Sequence, residues 1–167
     1  YARYYGQTAD YKRENYYVHY NRNIWRFTIG SNGCVNTGHS SRIQTYSWQW
    51  SYGMDHHPSN ELILYGSDWR GQRLTRVQMN PQRNGTFQIR NVGRYGQTAS
   101  KTGNVRMYGP WGVDVDKTNN RVLVTTYYKQ SVQAFDLNLN FDKEFGGSHG
   151  TRMTGAHEAI QSIVTDS

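Results

Sequence analysis

The chain has 167 residues, which is enough for one domain of ordinary size. Only 35% of its residues are hydrophobic, and 14 Tyr and 5 Trp supply much of that fraction. The sequence contains no apolar run of about 18 residues, so no segment is expected to cross a membrane as a helix. The 17 glycines and the lack of long helical periodicity predict short strands joined by tight turns.

The formal net charge of +7 favours anionic partners such as nucleic acid, acidic glycans or an acidic protein. The alternative is that the charge serves only to keep the protein soluble. The sequence starts at Tyr1 and shows no charged-then-apolar leader. We therefore expect either a processed protein or a piece of a longer one.

Cys34 is the only cysteine, which excludes an intrachain disulfide and a cysteine-based zinc cluster. We expect it to be a small buried apolar residue, although in an extracellular protein it would be able to bridge two chains. The sequence Asn84-Gly85-Thr86 matches a glycosylation sequon. Together with the scarcity of Lys and Glu, this predicts a glycoprotein outside the cell or at its surface, with a cytoplasmic location as the alternative.

In chain order, the sequence predicts a unit of short strands that recurs about three times. The first unit spans 10–38 and contains "ENYYVHY" from Glu14, "IWRFTIG" from Ile24 and "CVNTG" from Cys34. The second spans 48–93 and contains "GMDHHPSNELILY" from Gly53, "LTRVQMN" from Leu74 and "TFQIRNVG" from Thr86. The third spans 108–147 and contains "GVDVDKTNNRVLV" from Gly112, "VQAFDLN" from Val132 and "DKEFGG" from Asp142.

These units are typical of propeller blades, which have four antiparallel strands and recur at a similar spacing. An ordinary sandwich with similar strands is the alternative. A partial blade or closing strand is predicted at 156–167, and "YGQTA" occurs at both 5–9 and 95–99.

The third unit resembles the NHL repeat, whose pattern is Pro-x-Gly-hydrophobic-x-x-Asp, then hydrophobic-x-x-Phe-Asp, then Phe-Gly. The matching residues are Pro110, Gly112, Val113, Asp116, Val132, Phe135, Asp136, Phe145 and Gly146. The strand-end motif that often precedes the variable loop differs here and reads "VTTYY". The resemblance implies an all-β propeller fold. Some NHL propellers bind single-stranded RNA through a basic face, and some are lyases with metal-binding histidines near the axis.

About three blades are too few for a propeller ring, which typically has four to eight. We therefore expect a non-catalytic assembly module that is completed by other copies of itself or by further blades, unless a blade is hidden in the loops. A single-stranded RNA-binding module is the first alternative. A metal-dependent, lyase-type propeller enzyme is the second.

A binding face is predicted where the loops between second and third strands combine aromatic and basic residues. Such rings can stack on bases or sugars, and arginine can engage phosphate or sulfate. The alternative is that these side chains only cover the ends of the blades. The predicted face comprises Tyr20, Arg22, Trp69, Arg70, Arg73, Tyr127, Tyr128, Lys129, Arg94 and Arg106, while Arg42, Lys101 and Arg152 are expected in connections between blades.

Metal and catalytic sites have weak support in the sequence. His56 and His57 are the only candidate metal ligands, and adjacent residues of a strand point to opposite faces. The sequence has no phosphate-binding glycine loop that opens a helix, no nucleophile elbow and no evident pair of catalytic carboxylates. No cofactor and no catalytic residue is therefore expected.

Overall fold

A computed structural model of the chain describes residues 5–10, 12–20, 23–44, 52–93, 107 and 109–146. Every regular element in this part of the chain is a β-strand, and the strands form three antiparallel sheets of four. We refer to these sheets, in chain order, as blades 1, 2 and 3. The prediction of an all-β chain with about three four-stranded units is confirmed.

In each blade the four strands lie side by side in the order of the sequence. Blade 1 consists of β1 (Tyr5–Ala9), β2 (Asn15–Tyr20), β3 (Asn23–Ile29) and β4 (Val35–Gln44). Blade 2 consists of β5 (Met54–His56), β6 (Ile63–Asp68), β7 (Arg73–Met79) and β8 (Thr86–Val92). Blade 3 consists of β9 (Pro110–Asp116), β10 (Arg121–Thr126), β11 (Ser131–Asp136) and β12 (Phe141–Gly146).

Blade 1 differs from the predicted span 10–38 at both ends. Its first strand, β1, is the "YGQTA" segment, and β4 extends to Gln44. Blades 2 and 3 lie within their predicted spans. The second "YGQTA" segment and the predicted partial blade at 156–167 lie outside the described residues.

The middle blade is buried on both faces. All six residues of β6 are buried, and successive side chains of a strand point to opposite sides. Leu64 therefore packs toward blade 1, whereas Ile63 and Tyr65 pack toward blade 3. The Tyr65 hydroxyl also donates a hydrogen bond of 2.7 Å to the Leu137 carbonyl of blade 3. This two-sided burial explains why β6 reads as a continuous run rather than as alternation.

Two apolar layers hold the blades together, and each fills the space between neighbouring sheets. The layer between blades 1 and 2 contains Tyr17, Ile24, Ile43, Met54, Leu64, Val77 and Met79. The layer between blades 2 and 3 contains Ile63, Tyr65, Leu74, Val92, Met107, Val113, Val115, Val122, Val124, Phe135 and Leu139.

The first strands of the blades approach one another closely, with β1 beside β5 and β5 beside β9. A Cβ atom on Gly53 would lie 2.6 Å from the Trp111 carbonyl oxygen and closer still to the Val113 nitrogen. The Gly53 N–H donates to Ser67 Oγ at 3.0 Å, and that hydroxyl donates to the Trp111 carbonyl at 2.6 Å. Gly53 is thus required by the contact between blades 2 and 3.

Gly53→Ala is expected to lower the free energy of unfolding by roughly 2–3 kcal/mol, because the added methyl group forces β5 away from β9. Urea denaturation measures the change. Gly38→Ala is the matched control, since its Cβ would meet nothing closer than Asn36 Oδ1 at 3.4 Å. Equal effects of the two substitutions would show that the close contact is unimportant.

Candidate interaction surfaces

Two of the loops predicted to form a binding face lie at the same end of blades 2 and 3. Residues 69–72 join β6 to β7, and residues 127–130 join β10 to β11. The Trp69 and Tyr127 rings meet there, with centroids 5.4 Å apart. Tyr20 instead lines a groove on blade 1. Five of the predicted residues lie outside the described part of the chain: Arg22, Arg94, Arg106, Lys101 and Arg152.

Five rings pack together at this end, and we refer to Tyr52, Trp69, Trp111, Tyr127 and Tyr128 as the aromatic end. The rings of Tyr52 and Trp111 are nearly parallel, with an angle of 5° and centroids 3.9 Å apart. Trp69 meets Trp111 edge-on at 5.1 Å and lies 5.2 Å from Tyr128, which is 62% exposed. Pairs of this kind contribute about 0.5–1.5 kcal/mol each beyond burial. The aromatic end therefore covers the junction of blades 2 and 3.

Tyr52 and Trp111 were missed as members of this cluster in the sequence. Each directly precedes the glycine of a first strand, in "YGMD" and "WGVD". The two strands lie side by side, so the two rings are brought into contact. The shared pattern aromatic-Gly-hydrophobic-Asp is the signal that could have identified them.

The cations of the two loops differ in how much of their charge is available. Arg73 donates to the fully buried Asp68 carboxylate, with Nε and Nη2 at 2.9 Å and 2.8 Å from Oδ2. Lys129 Nζ lies 2.5 Å from Glu144 Oε2. Burial opposes ionisation of Glu144, but hydrogen bonds from Lys129 and other neighbours hold its pKa below the ordinary value. Arg70 is exposed. The described loops therefore present rings more than net positive charge.

The Asp55 side chain connects the first strands of all three blades. Thr8 Oγ1 of β1 donates to Asp55 Oδ1 at 3.0 Å, and the Val115 N–H of β9 donates to Oδ2 at 2.8 Å. His56 Nδ1 lies 3.0 Å from Oδ1. Burial opposes ionisation of Asp55, but hydrogen bonds from His56 and Val115 hold its pKa below the ordinary value. The carboxylate thus acts as a shared acceptor between blades.

His56 and His57, the candidate metal ligands, have different surroundings. His56 is buried, and its Nδ1 faces Asp55 and Thr8. The His57 ring stacks on Tyr65 with centroids 6.3 Å apart. Among the residues that the structure describes, no group of three or more His, Cys, Asp or Glu side chains is placed to hold a metal ion. The same residues include no helix long and apolar enough to cross a membrane.

Two further expectations from the sequence are wrong. Cys34 is exposed rather than buried, because it follows a surface turn in which Asn32 Oδ1 accepts its N–H at 3.0 Å. Arg42 lies inside β4, opposite Trp25, rather than in a connection between blades. Asn84 is exposed in the turn before β8, and its glycosylation stays a prediction.

The three blades share one register, which allows their positions to be aligned. The last ladder pairs between second and third strands are Tyr20–Asn23, Asp68–Arg73 and Thr126–Ser131. Counting from these pairs gives the equivalent residues of every blade. We refer to the side of a blade that faces the next blade in sequence as its forward face, and to the opposite side as its rear face.

The forward face of blade 3 keeps apolar residues that no described blade covers. Phe145 of β12 is equivalent to Ile43 of β4 and Val92 of β8 in the shared register. Ile43 and Val92 are 0% and 7% exposed, whereas Phe145 is 47% exposed. Its ladder partner Val132 is likewise only partly buried, while the equivalent Leu74 is fully buried. On blade 3, positions that a following blade covers in blades 1 and 2 are therefore apolar and less buried.

Two more residues complete this surface. Leu123 of β10 stands where blades 1 and 2 have the buried Tyr17 and Tyr65. Asp114 of β9 is equivalent to Asp55 of β5, because Asp114 pairs with Leu123 and Asp55 pairs with Tyr65. We refer to Asp114, Leu123, Val132 and Phe145 as the forward open face.

The rear face of blade 1 shows the same pattern. Phe27 of β3 is equivalent to Val77 and Phe135, both of which are fully buried against the preceding blade. Phe27 itself is only partly buried. It lines a groove of about 420 Å³ whose lining is almost wholly apolar. We refer to the residues of this groove as the rear open face: Tyr16, Val18, Tyr20, Trp25, Phe27, Val35 and Thr37.

No protein-family model matches the sequence, and no curated protein matches it. Solved structures do match the fold. Virginiamycin B lyase from Staphylococcus aureus is 14% identical, with a TM-score of 0.56 over 86% of this chain and 41% of that chain. The PQQ domain of pyranose dehydrogenase from Coprinopsis cinerea is 18% identical, with a TM-score of 0.59 over 82% and 35%. A protein of unknown function from Desulfotomaculum acetoxidans is 14% identical, with a TM-score of 0.58 over 86% and 42%.

These likenesses show that the chain has a β-propeller fold. Two of these proteins carry unrelated activities in their names, the third is of unknown function, and all three identities to this chain are low, so the likeness concerns the fold alone. The chain spans less than half the length of each of these structures.

His19, on the forward face of blade 1, gives the junction of blades 1 and 2 a dependence on pH. Burial lowers the pKa of His19 to about 4, an effect that the nearby Asp68 carboxylate partly opposes. The unfolded chain takes up this proton below about pH 6.5, whereas the folded chain does not take it up until about pH 4. Its contribution to stability is therefore complete above pH 6.5 and is lost as the pH falls from 6.5 to 4.

We expect the free energy of unfolding to fall by about 3 kcal/mol over this range through His19 alone. His19→Gln removes this titration, so urea denaturation at several pH values should give a flatter profile for the variant. His57→Gln is the control, because His57 is more exposed and its pKa is lowered less. A profile as steep in His19→Gln as in the unmodified chain would contradict the prediction.

Proposed function

We propose that this chain is a non-catalytic assembly module whose function is to pack its two open faces against further propeller blades. The observation that carries the proposal is the shared register. Residues such as Ile43 and Val77 are buried where two described blades meet. Their equivalents on the forward and rear open faces, such as Phe145 and Phe27, are also apolar but are partly exposed.

The energetic argument concerns the side chains of these faces. Full burial of one side chain the size of Phe or Leu contributes about 1.5–3 kcal/mol. Both open faces therefore favour contact with an apolar surface over contact with water. The side chains concerned are Phe27 and Trp25 on the rear open face and Phe145 and Leu123 on the forward open face. Clustered exposure of this kind marks an interaction surface more often than isolated exposed residues do.

The same geometry favours assembly over the binding of an anionic polymer such as single-stranded RNA. An RNA-binding face needs cations that are free to neutralise phosphates. Arg73 and Lys129 direct their charge to Asp68 and Glu144 instead. Arg70 remains available at the aromatic end, which in this proposal serves mainly to cover the junction of blades 2 and 3.

Phe27→Asp tests the proposal, because a carboxylate on the rear open face blocks docking while leaving the two covered junctions intact. We expect the variant to stay folded by circular dichroism. We also expect it to lose self-association in sedimentation experiments or, if the unmodified chain is a monomer, to lose the binding of an apolar dye. Tyr128→Asp is the control, since Tyr128 is exposed at the aromatic end and should affect neither measurement.

A folded Phe27→Asp variant with unchanged mass and unchanged dye binding would contradict the proposal. That result would mean that other parts of the same chain already cover the groove.

A further inference from the structure

We infer that the partner of both open faces is a second copy of this chain, so that two copies close one six-bladed ring. The inference rests on the proposed function and adds the identity of the partner. In this ring the rear open face of each copy packs on the forward open face of the other.

The number of blades restricts the possible closed rings. Propellers typically have four to eight blades, and the described part of the chain supplies three. Six is the one multiple of three within that range. A ring made only of copies of the three described blades therefore contains two copies. Such a ring has twofold symmetry, the commonest symmetry of soluble oligomers.

The chemistry of the two open faces fits the junctions already present in the chain. At each internal junction, apolar forward-face residues such as Ile24 or Leu74 meet apolar rear-face residues such as Val77 or Phe135. Between copies, Val132 and Phe145 would take the forward positions, and Phe27 would take the rear position. The junction between copies thus repeats the junction within a copy.

The polar contact near the ring axis is repeated as well. Asp55 of blade 2 accepts the N–H of Val115 in the first strand of blade 3. In the shared register Asp114 is equivalent to Asp55, and Ala9 of blade 1 is equivalent to Val115. In the two-chain ring, the Asp114 carboxylate would therefore accept the N–H of Ala9 from the second copy.

The two junctions between copies form together, which strengthens the pair. Once one junction is made, the other becomes an intramolecular contact at high effective concentration. Each copy carries a formal charge of +7, so the copies repel each other at long range. Because salt screens this repulsion, added salt should strengthen the pair, whereas it would weaken the binding of a nucleic acid.

The first measurement is the mass of the 167-residue chain by sedimentation velocity at several concentrations. One chain has a mass of 19.4 kDa, and the expected species has twice that mass, about 39 kDa. Phe27→Asp and Phe145→Asp should each raise the dissociation constant about 100-fold or more, since each places a charge in both junctions of the pair.

Mixing the two variants identifies which faces meet. Phe27→Asp retains an intact forward open face, and Phe145→Asp retains an intact rear open face. A mixed pair therefore contains one junction with both faces intact and one with both faces altered. We expect the mixture to recover the 39 kDa species, with weaker affinity than the unmodified chain because only one junction closes.

Several results would overturn the inference. If Phe145→Asp pairs normally while Phe27→Asp does not, like faces meet rather than opposite ones. Assemblies larger than two chains would show that the contacts do not close. If the chain is a monomer and its binding of an apolar dye depends on Phe27, the partner is not a second copy of the chain. The proposed function would remain supported by that result. Should either Asp variant fail to fold, Phe27→Ala and Phe145→Ala provide the same comparison with smaller expected shifts.

Discussion

The Asp55 carboxylate is the interaction on which the arrangement of the three sheets depends. It accepts a hydroxyl from β1 and an amide from β9 while belonging to β5, so one side chain fixes the relative positions of three first strands. Hydrogen bonds to an ionised acceptor are roughly twice as strong as neutral ones. The close approach that these bonds require leaves no room for a side chain at Gly53. Polar contacts near the axis and apolar layers farther out thus set the same spacing between blades.

In the part of the chain that the structure describes, the large apolar side chains of the exposed Phe145 and the partly exposed Phe27 lie on the outward faces of blades 3 and 1. At the aromatic end, rings contact one another, and the charges of Arg73 and Lys129 are paired with carboxylates of the same blade. The forward and rear open faces, in contrast, place side chains such as Phe145 and Phe27 outside the two apolar layers. This contrast is the reason why the proposed function is packing against other sheets.

The sequence predicted the repeated unit and the propeller class, because apolar second and third strands recur in phase with their turns. It did not identify β1 as a strand. "YGQTA" has no apolar alternation, its pairing with β2 is interrupted near Gly6, and it is held by long-range contacts such as Thr8 to Asp55. Cys34 was placed inside because its residue type is usually buried, whereas its position after a turn exposes it. The pairing of Lys129 was hidden because Glu144 lies 15 residues later, on another strand.

The common register of the three blades has a consequence for how such molecules can be divided or joined. Each blade offers equivalent strand positions to the blade before it and to the blade after it, so the contacts between strands at a junction are the same whether or not the peptide chain continues across it. A gene fusion, a split or a circular permutation that cuts between blades would change the covalent connectivity and keep these strand contacts, while a cut between blades 2 and 3 would also touch the connection that places Met107 in the apolar layer. A connection between blades is therefore part of the junction it crosses wherever it contributes a buried side chain, as Met107 does.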